Sequence, residues 1–272
     1  MIFNITLITI LLCTIYLISN IILTIYGPIL YLKNDDHIPN YDNHAVCINL
    51  YDQKKKYKLF IDDSKHTGLN IQRFEAIDTR NNKYMKYINK IDKKAYERLQ
   101  MTIVTGKRVD HSHLTPGAVG CYLSHMNVYM YALSKGYKNI FIFEDDAKFP
   151  IAFKYRFKNY MKHAPEDYDI LLFGWINLGY IDHINKYWNR LYNFWLLHGY
   201  IISESGMKKL LKYGYQNIDV QLDSLISRHT NDIKVYAVNS PRFIRQGNII
   251  DSTTYQTTIQ LYPVYESFIN IH

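Results

Sequence analysis

Along this chain the apolar positions change their period several times, and each change marks an element. From Ile2 to Leu32 no side chain is charged, and Ile5 to Tyr26 is nearly all Ile, Leu, Thr, Tyr and Cys. About 20 such residues cross the hydrocarbon core of a bilayer as a helix. The segment lacks the basic start, short apolar core and small-residue cleavage site of a secretory signal, so residues 1–32 predict an uncleaved anchor. Lys33–Asn43 (KNDDHIPNYDN) is polar, carries Pro39 and has no periodicity, which reads as a stem. A folded domain is expected over residues 44–272.

Within that domain short apolar runs alternate with helical stripes. Ala45–Leu50 (AVCINL) is a buried strand feeding a charged loop and helix, and Gln72–Ile77 (QRFEAI) alternates as a second strand would. Asn81–Thr105 reads as variable surface with one helix near Lys93–Met101. Thr115-Pro116 supplies an N-cap and a proline at the first helical position. Val119, Leu123, Met126, Met130 and Leu133 then recur at spacings of four, three, four and three residues, and Gly136 ends the helix. Asn139–Phe143 (NIFIF) is too short for a helix and too apolar for a surface, hence a buried strand. Tyr168–Gly174, Trp195–Ser203 and Lys234–Val238 are further strands, with a helix over Ser205–Lys212. This alternation predicts an α/β sheet with helices on its faces.

Composition narrows the class. The 272 residues are 48% hydrophobic and 21% charged, with 12 Gly and 7 Pro, which excludes disordered and collagenous chains. The three cysteines, Cys13, Cys47 and Cys121, give neither a disulfide framework nor a zinc-finger spacing; at most Cys47 and Cys121 could pair. The net charge of +8 would attract phosphates, but Lys and Arg are dispersed and no nucleic-acid motif is present, so no nucleic-acid partner is expected. Positive charge flanks the anchor only on its C-terminal side, at Lys33 and Lys54 to Lys56, which favours a single-pass protein with a cytoplasmic domain.

The chemistry concentrates at Glu144-Asp145-Asp146, where a buried strand ends. Adjacent carboxylates raise one another's pKa unless a cation lies on them, and hard oxygen ligands suit Mg²⁺ or Mn²⁺. Open α/β sheets bind ligands at such strand ends. An acidic turn capping the next element is the competing reading of these three residues.

Pro116–Pro150 (PGAVGCYLSHMNVYMYALSKGYKNIFIFEDDAKFP) resembles the central block of glycosyltransferase family 25, a Gly-x-x-Gly-Cys-x-x-Ser-His helix followed by a strand ending in Glu-Asp-Asp. The resemblance extends in order through Ala45–Leu50, Arg73–Asp78 (RFEAID), Tyr168–Gly174, Tyr200–Leu211 (YIISESGMKKLL) and Ile218–Leu225 (IDVQLDSL), covering about residues 45 to 255. Departures are Ala118 where the family commonly has Glu, Lys54 to Lys56 in place of an arginine-rich stretch, and Leu197 where a threonine is frequent.

The resemblance implies a GT-A type fold and transfer of a sugar, galactose by preference, from a UDP-sugar to a glycan or protein hydroxyl with Mn²⁺ (or Mg²⁺), with inversion. It implies that Glu144, Asp145 and Asp146 supply the metal and ribose contacts, with Glu144 and Asp146, which share a strand face, taken as metal ligands and Asp145 as a donor contact while the choice among the three stays open. Ser124 and His125 take a structural or donor-binding role, and Gln246 a contact from the polar tail. Asp223, at the family's late aspartate position, is the candidate base, with helix capping by Asp219 or Asp223 as the alternative. Ser124 and His125 point about 100° apart on a helix and do not form a nucleophile–base pair. His198 and His229 are weighed as further metal ligands against ordinary histidines, Ser252 as a tail contact, and Trp188, Tyr192 and Trp195 as acceptor-stacking rings against core packing. A catalytically inactive, membrane-tethered glycan- or partner-binding relative is the competing function.

Overall fold

The computed structural model describes residues 14–16, 18, 38 and 40–247. Most of the expected anchor, the first part of the stem and Ser252 lie outside the described residues. Among the described residues no helix is long and apolar enough to cross a membrane.

The architecture is mixed α/β around one eight-stranded sheet, as the alternation of strands and helices in the sequence predicts. In chain order the elements are β1 (Ala45–Asn49), α1 (Lys54–Ser64), β2 (Ile71–Glu75), α2 (Lys93–Thr105), α3 (Pro116–Ser134), β3 (Asn139–Glu144), β4 (Ala147–Lys148), α4 (Phe153–Lys162), β5 (Ile170–Leu172), β6 (Ile176–Asn177), β7 (Ile181–His183), β8 (Trp188–Leu191), β9 (Phe194–Trp195), β10 (Gly199–Ser203), α5 (Glu204–Gly214), α6 (Leu222–Arg228), β11 (Val235–Val238) and β12 (Arg245–Gln246). The sheet order is β2-β1-β3-β10-β5-β11-β8-β7. β1 pairs in parallel with both β2 and β3, whereas β10 runs antiparallel between β3 and β5.

Side chains alternate across a strand with period two, and β3 uses this to divide the core. Ile140 and Ile142 join the layer built by α2, α3, α5 and α6, with Val119, Leu123, Met126 and Met207. Phe141 and Phe143 face the opposite layer, where Phe60 of α1 and Phe153 and Phe157 of α4 pack edge-on and stacked with Phe149, Phe173 and Phe243. A strand apolar at every position is therefore a strand covered on both faces.

α3 begins where capping chemistry places it: Thr115 Oγ1 accepts the Ala118 N–H at 3.0 Å. Its Gly120 lies against the loop after β2, where a Cβ would come within 2.5 Å of Thr79 Oγ1 and 2.7 Å of the Ile77 carbonyl. This close approach lets Ser124 Oγ accept the Ile77 N–H at 2.8 Å.

Three expectations are modified. The run Trp195–Ser203 is not one strand but β9 and β10, broken at Leu196, whose φ of 85° leaves the extended region. The end of the stem is packed, since Ile38 and Tyr41 are buried and the Tyr41 ring meets Phe141 and Phe157. Cys47 and Cys121 are both free thiols. Helix α4, whose first six residues alternate with the period of a strand, and the short strands β7 and β8 were not expected.

Candidate functional site

The three carboxylates that end β3 point into different surroundings. Asp145 is fully engaged: Lys56 Nζ lies 2.5 Å from Oδ1, and Asn49 Nδ2 donates to Oδ2 at 2.6 Å. Asn49 is held in turn by Arg73, whose Nε and Nη2 donate to its Oδ1 at 2.9 and 2.6 Å. The lysine run at the start of α1 thus supplies, through Lys56, the counter-charge of Asp145.

Glu144 turns toward α3. Its Oε1 is 3.5 Å from His125 Nε2 and 3.7 Å from Cys121 Sγ. Burial pushes the Glu144 carboxyl up, but His125, His198 and Lys56 outweigh it and hold it below the usual carboxylate range. His125 is 1% exposed and is oriented from behind, its Nδ1 2.7 Å from the Tyr200 hydroxyl, which is 2.6 Å from that of Tyr129. Its Nε2 has no hydrogen-bond partner.

Asp146 lies behind Glu144. Gln246 Nε2 donates to Oδ2 at 3.0 Å, while the buried Oδ1 has no partner. Burial, then the charge of Glu144, pushes this carboxyl up to about 7. A buried carboxylate with one unsatisfied oxygen and a raised pKa fits a divalent cation, which would supply the missing positive charge.

These groups converge on a cavity of about 220 Å³ lined by Cys121, His125, Glu144, His198, Asp223 and Gln246, with Leu196, Leu197 and Leu222 among its apolar walls. Asp223 sits in the first turn of α6, where Oδ1 accepts the Ser224 N–H at 2.8 Å and Oδ2 the Leu196 N–H at 3.3 Å. Burial raises its pKa. The break at Leu196 therefore has a use, because it turns a backbone donor onto Asp223. Asp219 is paired with Arg228.

Of the residues expected from sequence, the structure gathers Glu144, His125, Asp223 and Gln246 on one cavity, with Asp146 bonded to Gln246 at its edge. It separates Asp145, which faces the Lys56 corner, and Ser124, which is buried with its hydroxyl donating to the Gly120 carbonyl at 2.5 Å. His198 lines the cavity, its Nε2 2.9 Å from the Ile244 carbonyl and its buried Nδ1 without a partner. His229 stacks on Tyr213 and does not reach it. Trp188 is fully buried, bonded to the Tyr160 carbonyl, whereas Tyr192 and Trp195 are half-buried, the latter's ring 5.0 Å from that of His111. Sequence reasoning passed over Cys121, although its spacing of four from His125 on one helix is a ligand spacing. A second, open cleft of about 930 Å³ lies at the carboxyl ends of β1 and β2, lined by Tyr51, Asp52, Asp78, Arg80 and Lys83.

Comparison with known proteins gives a family match over residues 43–226 to the model described as "Glycosyltransferase family 25 (LPS biosynthesis protein)". The chain is 30% identical over 143 residues to "Procollagen galactosyltransferase 1" of Danio rerio, covering 47% of this chain and 24% of that protein. It is 26% identical over 204 residues to a "Glycosyltransferase 25 family member" of Anopheles gambiae, covering 70% and 33%. It is 30% identical over 135 residues to "Inactive glycosyltransferase 25 family member 3" of Mus musculus, covering 44% and 22%. The matched regions span about a fifth to a third of the length of these relatives.

Proposed function

The chain belongs to glycosyltransferase family 25, and from that premise we propose that it transfers a hexosyl group, galactose by preference, from a UDP-sugar to a hydroxyl of a glycan or protein acceptor. The scaffold is of GT-A type, and inversion at the anomeric carbon accompanies transfer. The observation that carries this reading is the convergence of Glu144, Asp223 and Gln246 on one cavity at the carboxyl end of β3, with the unpartnered Asp146 Oδ1 beside it.

Asp146 and Glu144 would hold Mn²⁺ or Mg²⁺, which supplies positive charge to the departing diphosphate. Asp223 accepts the proton of the acceptor hydroxyl, its carboxylate oriented by the Leu196 and Ser224 N–H groups. Leu197 and Leu222 exclude water from the reacting face. The open cleft along β1 and β2 takes the nucleoside end, with Arg80 and Lys83 on its wall. Residues 5–26 anchor the chain in a membrane and the domain lies on its cytoplasmic side, a reading supported by the uncharged run Ile2–Leu32 and the lysines after it.

The test is UDP release by the full chain from a panel of UDP-sugars, with and without Mn²⁺. Turnover of one donor that needs the metal, and falls about 10²–10⁴-fold in Asp223→Asn, is the expected result. The similarity to a relative named inactive supports a second reading, a donor- or glycan-binding protein without turnover. Saturable UDP-sugar binding with no UDP release from any donor–acceptor pair would favour that reading and end the first.

A further inference from the structure

The groups that face Glu144 are chemically unlike the oxygen ligands of Mn²⁺ or Mg²⁺. Cys121 and His125 lie four residues apart on α3, so both side chains leave the same helix face. Their ligand atoms and a Glu144 oxygen all fall within 4.8 Å of one another. Two edges of that triangle are 3.7 Å, sulfur to oxygen, and 3.5 Å, nitrogen to oxygen. A tetrahedral zinc ion with bonds of about 2.0 to 2.3 Å has ligand–ligand edges of about 3.3 to 3.8 Å, so both distances are those of a ligand set around one ion. His125 Nε2 is buried, aimed at Glu144 and unpartnered, while its Nδ1 is fixed by Tyr200, the arrangement by which an outer hydroxyl orients a ligating imidazole.

We infer that Cys121, His125 and Glu144 form a three-ligand site for a thiophilic divalent cation of the zinc class, with its fourth position open to the 220 Å³ cavity. Thiolate and imidazole select zinc or cobalt over magnesium and manganese. Binding displaces the thiol proton to solvent and changes no oxidation state. On the transferase reading given above, occupancy withdraws Glu144 from the donor's metal, so zinc opposes Mn²⁺-supported turnover.

The test uses the full-length protein and Co²⁺ as probe. One equivalent should produce a thiolate-to-cobalt charge-transfer band in the near ultraviolet that Zn²⁺ abolishes and excess Mg²⁺ does not. The band should be lost in Cys121→Ser and retained in Cys47→Ser. Asp146→Asn should keep the band while losing sugar transfer, which separates this site from the transferase reading. In the unmutated protein Zn²⁺ should slow alkylation of Cys121, followed by peptide mass, at least tenfold. Absence of the band, its persistence in folded Cys121→Ser, or alkylation indifferent to Zn²⁺ would each overturn the inference.

Discussion

Two carboxylates adjacent in the chain, Asp145 and Asp146, meet opposite treatment in the fold. Asp145 is enclosed by Lys56 and by Asn49, itself clamped by Arg73, and every partner is supplied by β1, β2 or the start of α1. Asp146 receives one amide from Gln246 and keeps a buried oxygen bare. The difference separates a structural acid from a site acid: the first joins three strand ends, and the second holds an unsatisfied charge beside a cavity. Burying an ionised carboxylate without a partner is costly, so the protein's own atoms leave the Asp146 side incomplete, as a site awaiting a ligand would be.

The largest effect is expected on the incomplete side. Asp146 has its pKa raised from 3.8 to about 7, so between those values the folded protein binds more protons than the unfolded chain. Stability of the metal-free protein should then be fully present below the lower value and fall as pH rises toward 7, by on the order of a few kcal/mol. Urea midpoints in chelator at several pH values would show this slope, and Asp146→Asn should flatten it. Mn²⁺ should raise the midpoint most at the high-pH end. An unaltered slope in the variant would mean that Asp146 is as well compensated as Asp145.

A smaller effect is expected on the enclosed side. Lys56→Met removes the cation from a carboxylate only 13% exposed, and should cost about 1–3 kcal/mol. Asp145→Asn added to it should restore most of that loss, since the charge left behind disappears. If the double variant is no better than the single one, the lysine acts through packing of its stem, and the two acids are less different than their contacts indicate.

How far this contrast could be read from sequence depends on the kind of interaction. The Glu-Asp-Asp run, the strand before it and the helix Pro116–Ser134 were legible because period, capping and a strand too apolar for one exposed face are local signals. Which way each carboxylate turns is not local, for it is decided by Asn49, Lys56 and Gln246, about 90 to 100 positions away. The Ser124 hydroxyl, whose reading left a structural and a donor-binding role open, bonds the Gly120 carbonyl and the Ile77 N–H, partners 4 and 47 positions away of which the second has no local signal. Helix α4 escaped notice because its residues Phe153 to Lys158 alternate aromatic and basic, which is the period of a strand and not of a helical stripe. The break at Leu196 was invisible because a leucine at positive φ has no sequence signature.

The smallest expected effect probes what holds the cavity's histidine in place. The Tyr200 hydroxyl is the shared partner of His125 Nδ1 and Tyr129 Oη, and all three residues are buried. Tyr200→Phe keeps the ring and deletes the one atom between them, leaving two polar groups unmatched at a cost of about 1–2 kcal/mol. Tyr129→Phe should cost less, because Tyr200 keeps its bond to His125. A purely structural role would end there. If the hydroxyl also aims the imidazole at Glu144, Tyr200→Phe should weaken Co²⁺ binding by about 10–100-fold, whereas Tyr129→Phe should leave it nearly unchanged. Equal cobalt affinities in the two variants would show that the packing around His125 alone sets the ring, and that the cavity owes its open side to the backbone rather than to this chain of hydroxyls.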